Sequence, residues 1–149
     1  MTFDEQYMHE ALGLAEHAMN QQEVPVGAVV VFEDRIIGKG WNQPISKNDP
    51  SAHAEVMALR DAANAMGNYR LLNTTLYVTL EPCLMCVGAM LHSRIKKLVF
   101  GAYDSKTGAT GSVFDVLTDA RHNHSVEMCG GVLEKQSVEL LQAFFRQRR

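Results

Sequence analysis

The sequence predicts an α/β fold in a single domain covering residues 1–149, and three observations lead there. Segments with apolar residues at helical spacing alternate with short β-branched apolar runs. No linker, internal repeat or low-complexity tract divides the chain. Two short metal-binding motifs fall at expected helix starts, one of them where a strand-like run gives way to helical spacing. With 46% apolar and 21% charged residues, the composition suits a globular domain able to bury a core and excludes disordered and collagen-like chains.

The elements follow in order. Residues 4–19 place Tyr7, Met8, Ala11, Leu12, Leu14, Ala15, Ala18 and Met19 at helical spacing with acids toward the start, which predicts a covering helix. Residues 26–32 and 35–40 are apolar, β-branched runs separated by Glu33-Asp34, an antiparallel hairpin feeding Trp41 and Asn42. Residues 43–50 read as a loop. Asp49-Pro50-Ser51 is a helix start, so a helix over about 52–66 is expected to open with His53 and Glu55 in its first turn. Residues 75–80 form a compact strand, Glu81-Pro82 interrupts it, and residues 83–92 resume helical spacing. Residues 98–102 are a further apolar strand. A Gly- and Thr-rich loop over 104–111 leads to the segment 113–117, and the last element is a helix over about 135–145.

The chemistry is concentrated in His53-Ala54-Glu55 and Pro82-Cys83-Leu84-Met85-Cys86. One imidazole and two thiolates are ligands that Zn²⁺ prefers, and three protein ligands leave a fourth tetrahedral position open for water. An open position implies catalysis. Glu55 lies two residues from the histidine, close enough to handle that water's protons without being a ligand. Both motifs fall at expected helix N-termini, whose free N–H groups favour thiolates, and three-residue spacing puts both sulfurs on one helix face. A purely structural zinc knuckle would need a fourth ligand from Cys129, His92, His122 or His124, and none of these forms an obvious pair with the first motif. His122 and His124 read as loop histidines, His9 and His17 as surface or interface groups.

Three cysteines, two of them at metal-ligand spacing, argue against a disulfide framework, and Cys129 reads as a small, at least partly buried apolar residue. No uninterrupted apolar stretch approaches the roughly 20 residues that span a bilayer, and residues 1–10 are acidic and amphipathic rather than signal-like. The expected address is cytoplasmic, with no membrane partner. A formal net charge of −3 and a pI near 6.0 speak against nucleic acid when taken alone. Local clusters matter more, and they occur at Arg94, Lys96 and Lys97 and at Arg146, Arg148 and Arg149.

The match to known sequences extends beyond these motifs. The stretches Glu23-Val24-Pro25-Val26-Gly27-Ala28-Val29, Gly40-Trp41-Asn42, Asp49 to Glu55 and Leu76 to Cys83 resemble bacterial tRNA-specific adenosine deaminases, within the cytidine and deoxycytidylate deaminase superfamily. So does Gly101-Ala102-Tyr103-Asp104-Ser105-Lys106-Thr107-Gly108-Ala109. The general signature of zinc deaminases, H-x-E followed by P-C-x-x-C, lies inside this longer match.

The resemblance implies a cytidine-deaminase-like three-layer α/β/α sandwich with a mixed five-stranded sheet, assembled as a homodimer. It implies zinc ligation by His53, Cys83 and Cys86 and proton transfer by Glu55. It further implies that Asn42 hydrogen-bonds the purine, that Val26, Gly27 and Ala28 line the base pocket, and that Ala54 is a substrate-binding position beside the ligand histidine. Asp104 would lie close to the nucleotide backbone, and Asn123, His124, Phe144, Phe145 and Arg146 would approach the tRNA anticodon stem-loop. Charge alone suggests phosphate contacts for Arg70, Lys106 and Arg146.

The implied reaction is hydrolytic deamination of the wobble adenosine to inosine with release of ammonia, on a base that a loop can present with little loss of stacking. A deaminase of a free base or nucleotide (guanine, cytosine or a riboflavin precursor) shares the metal motif and suits the acidic pI. The 101–109 stretch and the aromatic, basic C-terminus weigh against it. A zinc-bearing but silent partner subunit is expected to lack the glutamate, and Glu55 is present.

Overall fold

A computed structural model describes residues 1–148; Arg149, the last member of the C-terminal basic cluster, lies outside the described residues. The first helix, α1 (Phe3–Asn20), begins at a reciprocal cap: the Glu5 amide donates to Thr2 Oγ1 at 3.1 Å and the Thr2 amide to Glu5 Oε1 at 3.0 Å. Met8, Ala11, Leu12, Ala15 and Ala18 form its buried stripe, as the apolar spacing requires. The strands β1 (Gly27–Phe32) and β2 (Arg35–Trp41) make the expected antiparallel hairpin. Then come α2 (Pro44–Lys47), α3 (Ala54–Met66), β3 (Thr75–Leu80), α4 (Leu84–Ser93), β4 (Lys97–Ala102), β5 (Glu127–Cys129) and α5 (Glu134–Arg146).

The sheet runs β2-β1-β3-β4-β5, antiparallel across β2, β1 and β3 and parallel across β3, β4 and β5, so it is mixed and five-stranded. Alternation along the strands divides the core in two. Ala28, Val30, Leu76, Val78, Leu98 and Phe100 pack with Ala58, Leu59 and Val87 of α3 and α4 on one face. Val29, Val31, Tyr77 and Val99 pack with Met8 and Leu12 of α1 and Leu140 of α5 on the other. Three layers result, as the resemblance implied. No helix among the described residues is long and apolar enough to cross a membrane.

Helices lie unusually close to the hairpin because glycine removes side chains there. Gly27 faces α1, where a Cβ would come within 2.6 Å of the Ala15 amide. Gly40 faces α3, where a Cβ would overlap the Ala54 carbonyl and the Ala58 amide, both backbone atoms that cannot rotate aside. Gly40→Ala is therefore expected to cost about 1–3 kcal/mol, the usual penalty of overpacking. Because His53 is the N-cap of α3, zinc occupancy should fall with it, and urea denaturation alongside metal analysis checks both.

Two local expectations need correction, and two further segments carried no prediction. The 43–50 loop contains the single turn α2, started by Pro44 and held by the distant, buried Glu23, which accepts from the amides of Ile45 (3.3 Å) and Ser46 (2.8 Å). His53 is the N-cap of α3 rather than a residue of its first turn, because Asp49 spends its carboxylate on Ser51 in a local turn (2.9 and 2.7 Å). The segment 113–117 forms no strand, only one isolated bridge between Thr110 and Asp115. The edge strand β5 had no signal in its own residues: it is three residues long, and Glu127 and Met128 are exposed.

Candidate active site

The C-terminal end of β3 delivers Cys83 as the N-cap of α4, and β2 leads through residues 42–52 to His53 as the N-cap of α3. The two helix N-termini meet at the same point. His53 Nδ1 lies 3.6 Å from Cys83 Sγ and 3.5 Å from Cys86 Sγ, and the two sulfurs are 3.8 Å apart. With Zn–S near 2.3 Å and Zn–N near 2.0–2.1 Å, a tetrahedral ion demands edges of about 3.8 Å between sulfurs and about 3.5–3.6 Å from sulfur to nitrogen. The residues present fit Zn²⁺ on geometry and on donor chemistry. No fourth His, Cys or carboxylate joins them among the described residues, so the fourth vertex is open. His122 and His124 are used elsewhere, on the carbonyls of Val116 (2.6 Å) and Ile95 (2.7 Å), and Cys129 packs, half-buried, against the cluster beneath α1.

Hydrogen bonding to Cys86 is the main cause that pulls the Cys83 thiol down to about 4, and the same bond and burial push Cys86 well up. A thiolate is the form in which cysteine holds a metal. Glu55 is 4% exposed, and burial pushes its carboxyl up to about 6. A carboxyl that titrates close to neutrality can both take and give a proton there.

These groups line one cavity of about 120 Å³ together with Val24, Val26, Asn42, Leu80, Glu81, Asp104 and Thr107. A larger groove of about 400 Å³ between α1 and α5, lined by His9, Glu16 and Glu139 among others, holds no comparable cluster of metal ligands. Asn42 serves the fold and the cavity at once. Its Oδ1 accepts from the Ala54 amide at 2.8 Å, capping α3, which leaves Nδ2 as its uncommitted donor. Asn42→Ala is expected to cost about 1–2 kcal/mol through the lost cap, whereas Asn42→Asp keeps the acceptor and should hold stability while replacing the donor. Denaturant midpoints of the two variants separate cap from donor; equal losses would show that Oδ1 does not carry the cap.

Of the sequence-derived site residues, the cavity collects Val26, Asn42, His53, Glu55, Cys83 and Asp104. Gly27 does not line it: that residue faces α1, and its amide donates to Thr79 Oγ1. Ala28 and Ala54 are fully buried in the core between sheet and helices, behind the wall rather than on it. Asn123 and His124 are tied to the turn after α4, where Arg94 Nη1 donates to Asn123 Oδ1 at 3.0 Å. Phe144 is 5% exposed beneath the Arg148 guanidinium, so Phe145, 50% exposed, is the aromatic presented to solvent, beside the exposed Arg146. Arg70 and Lys106 are exposed. Sequence reasoning missed Val24, Leu80, Glu81 and Thr107. Glu81 left a readable trace, an acid between an apolar strand and Pro82-Cys83, a position where a charge requires a partner.

The cytidine and deoxycytidylate deaminase zinc-binding region matches residues 1–102. A tRNA-specific adenosine deaminase of Haemophilus influenzae is 57% identical over 148 residues, covering 99% of this chain and 86% of the relative. The chain belongs to this deaminase family, on the branch of the tRNA-specific adenosine deaminases. The Bacillus subtilis member of that branch is 46% identical over 149 residues, with 100% and 92% covered. Among solved structures, a chain from work on A-to-I editing by tRNA:A34 deaminases at the wobble position superposes with a TM-score of 0.88 at 40% identity, covering 91% of this deaminase and 99% of that chain. Guanine deaminase of Bacillus subtilis superposes with a TM-score of 0.66 at 38% identity, covering 74% and 70%. The shared fold thus serves more than one base, and the cavity must decide between them.

Proposed function

We propose that this deaminase hydrolyses the wobble adenosine of a tRNA anticodon loop to inosine and ammonia, with Zn²⁺ held by His53, Cys83 and Cys86 and Glu55 as proton carrier. The observation that carries the reading is the three-ligand triangle with a buried carboxyl in the same cavity. When bound, Zn²⁺ supplies a water acidified from 15.7 towards about 7. Glu55 would take the first proton of that water to purine N1 and then carry the proton left on the added oxygen to the C6 amine, which departs as ammonia. One C–O bond forms, one C–N bond breaks, and no oxidant is consumed. Val24, Val26 and Leu80 supply apolar walls for the ring, and Asn42 Nδ2 offers a donor to an acceptor on its edge.

The RNA would continue from the cavity along the loop that carries Asp104. Beyond it, Tyr103, Lys106, Phe145 and Arg146 line an open groove of about 560 Å³ that combines aromatic faces for stacking with positive charge for phosphate. Asn123 and His124 belong to the same proposal as contacts from a second segment, and Phe144 supports Phe145 from beneath. The homodimer is part of the reading too: Leu84 and Met85, at the start of α4, remain 47% and 39% exposed and offer apolar surface for a second copy. The site of action would be the cytoplasm, where tRNA is matured.

The test is deamination of an anticodon stem-loop RNA carrying a wobble adenosine, in parallel with guanine, cytosine and free adenosine, read by mass spectrometry. Inosine in the RNA supports the reading. Turnover of a free base with the RNA untouched would move the chain to nucleobase metabolism. Sedimentation at micromolar concentration tests the dimer, and a monomer there would remove it.

A further inference from the structure

We propose that Glu81 is a positioning residue, whose carboxylate anchors the loop 104–112 over the metal-ligand turn and thereby sets how firmly the substrate nucleoside is held. The inference deepens the proposed function and rests on it for the identity of the nucleoside. Glu81 is 2% exposed, and among the described residues no lysine or arginine pairs with it. Its charge is met instead by N–H and O–H groups from one loop. The Asp104 amide donates to Oε1 at 3.0 Å, and the Ser112 hydroxyl donates to the same oxygen. The Thr110 amide and hydroxyl, both at 3.1 Å, and the Ser112 amide at 3.2 Å donate to Oε2.

The anchor adjoins the site on both sides. Glu81 is followed by Pro82 and the zinc ligand Cys83, and the Ala109 amide donates to the Pro82 carbonyl at 2.9 Å, so two consecutive residues of the ligand turn hold the loop. Asp104 and Thr107, from that loop, line the cavity with Glu81. Gly108 packs so tightly on the carboxylate that a Cβ there would overlap it. The zinc ligands themselves hang from α3 and α4, and nothing in the 104–112 loop ligates. Loosening the loop should therefore weaken substrate binding and leave the metal in place.

Glu81→Gln is the sharpest perturbation, because it preserves shape and removes one acceptor. Each carboxylate oxygen faces at least one backbone N–H, so neither orientation of a glutamine amide avoids setting donor against donor. Gly108→Ala attacks the same contact from the loop side, and Ser112→Ala deletes one hydroxyl bond as a mild variant that folds if the others do not. Zinc per chain, KM and kcat on the anticodon stem-loop RNA, and amide exchange across 104–112 are measured for each.

The expected result for Glu81→Gln and Gly108→Ala is KM raised about tenfold or more, kcat within about threefold, zinc retained at one per chain, and faster exchange at Asp104, Thr110 and Ser112. Ser112→Ala should shift KM in the same direction by a smaller factor. Glu81→Ala combined with Gly108→Ala should raise KM by less than the product of the single effects, since the new methyl enters the space the carboxylate vacates. Unchanged KM in all variants, or a fall in kcat and zinc at constant KM, overturns the proposal. If the wild-type enzyme turns over a free base and not the RNA, the proposed function fails separately, and the same KM and exchange comparison on that base still decides the role of Glu81.

Discussion

Glu55→Gln is expected to keep zinc at one per chain and to lose turnover by about 10²–10⁴-fold or more, the range that general acid–base groups contribute. The variant is the same shape and cannot carry a proton. Its side chain stays in the buried position two residues from His53, so the ligand triangle has no reason to change. Single-turnover rates and metal analysis on the same preparation check the result; turnover near the wild-type rate would remove Glu55 from the reaction.

The same substitution changes the stability of the metal-free protein. Burial raises the Glu55 carboxyl to about 6 from 4.5, so the folded state holds that proton more firmly than the unfolded chain. The favourable contribution is complete below pH 4.5 and is lost as pH rises through about 6. Metal-free Glu55→Gln should then be more stable than metal-free wild type at pH 7, by about 2 kcal/mol, with the difference vanishing in acid. Thermal unfolding after chelation at two pH values reads this directly.

Cys86→Ser is expected to weaken zinc affinity by more than about 100-fold and to abolish turnover. Cys86 is fully buried, with its sulfur 3.8 Å from Cys83 and 3.5 Å from His53. A hydroxyl is a poor ligand for a borderline-soft ion, and the shorter oxygen cannot reach the vertex the sulfur occupied. Binding that favours the folded state stabilises it by mass action, so the variant should also unfold at a lower temperature in zinc-containing buffer and respond little to chelator. Full zinc occupancy with normal turnover would show that two ligands suffice.

Much of this site was legible because its chemistry is local in the chain. Cys83 and Cys86 meet because one helical turn separates them, and Glu55 accompanies His53 because both open the same helix. The resemblance extended that reading to Asn42 and Asp104, which do reach the cavity. It did not resolve Gly27, whose position on β1 turns it toward α1, one residue out of phase with Val26 and Ala28. In a strand, adjacent residues point to opposite faces, so a contiguous motif cannot line one pocket with all its members. Phe144 and Phe145 divide for the same kind of reason on a helix, where neighbours are about 100° apart.

The α/β class, the hairpin, the principal helices, the cysteine pair and the His53–Glu55 pair are each encoded within a few residues, by periodicity, capping or ligand spacing. Long-range packing was needed to bring His53 to the cysteines about thirty positions away, to cap α3 with Asn42, to hold α2 with Glu23 and to gather the 104–112 loop around Glu81. Those partners are set by strand register, with Ala28 opposite Val78 and Leu80 beside Ala102, which aligns the strand ends from which both ligand-bearing turns depart. Glu23, Asn42 and Glu81 find their partners far along the chain, because a polar group left unpaired away from water costs free energy.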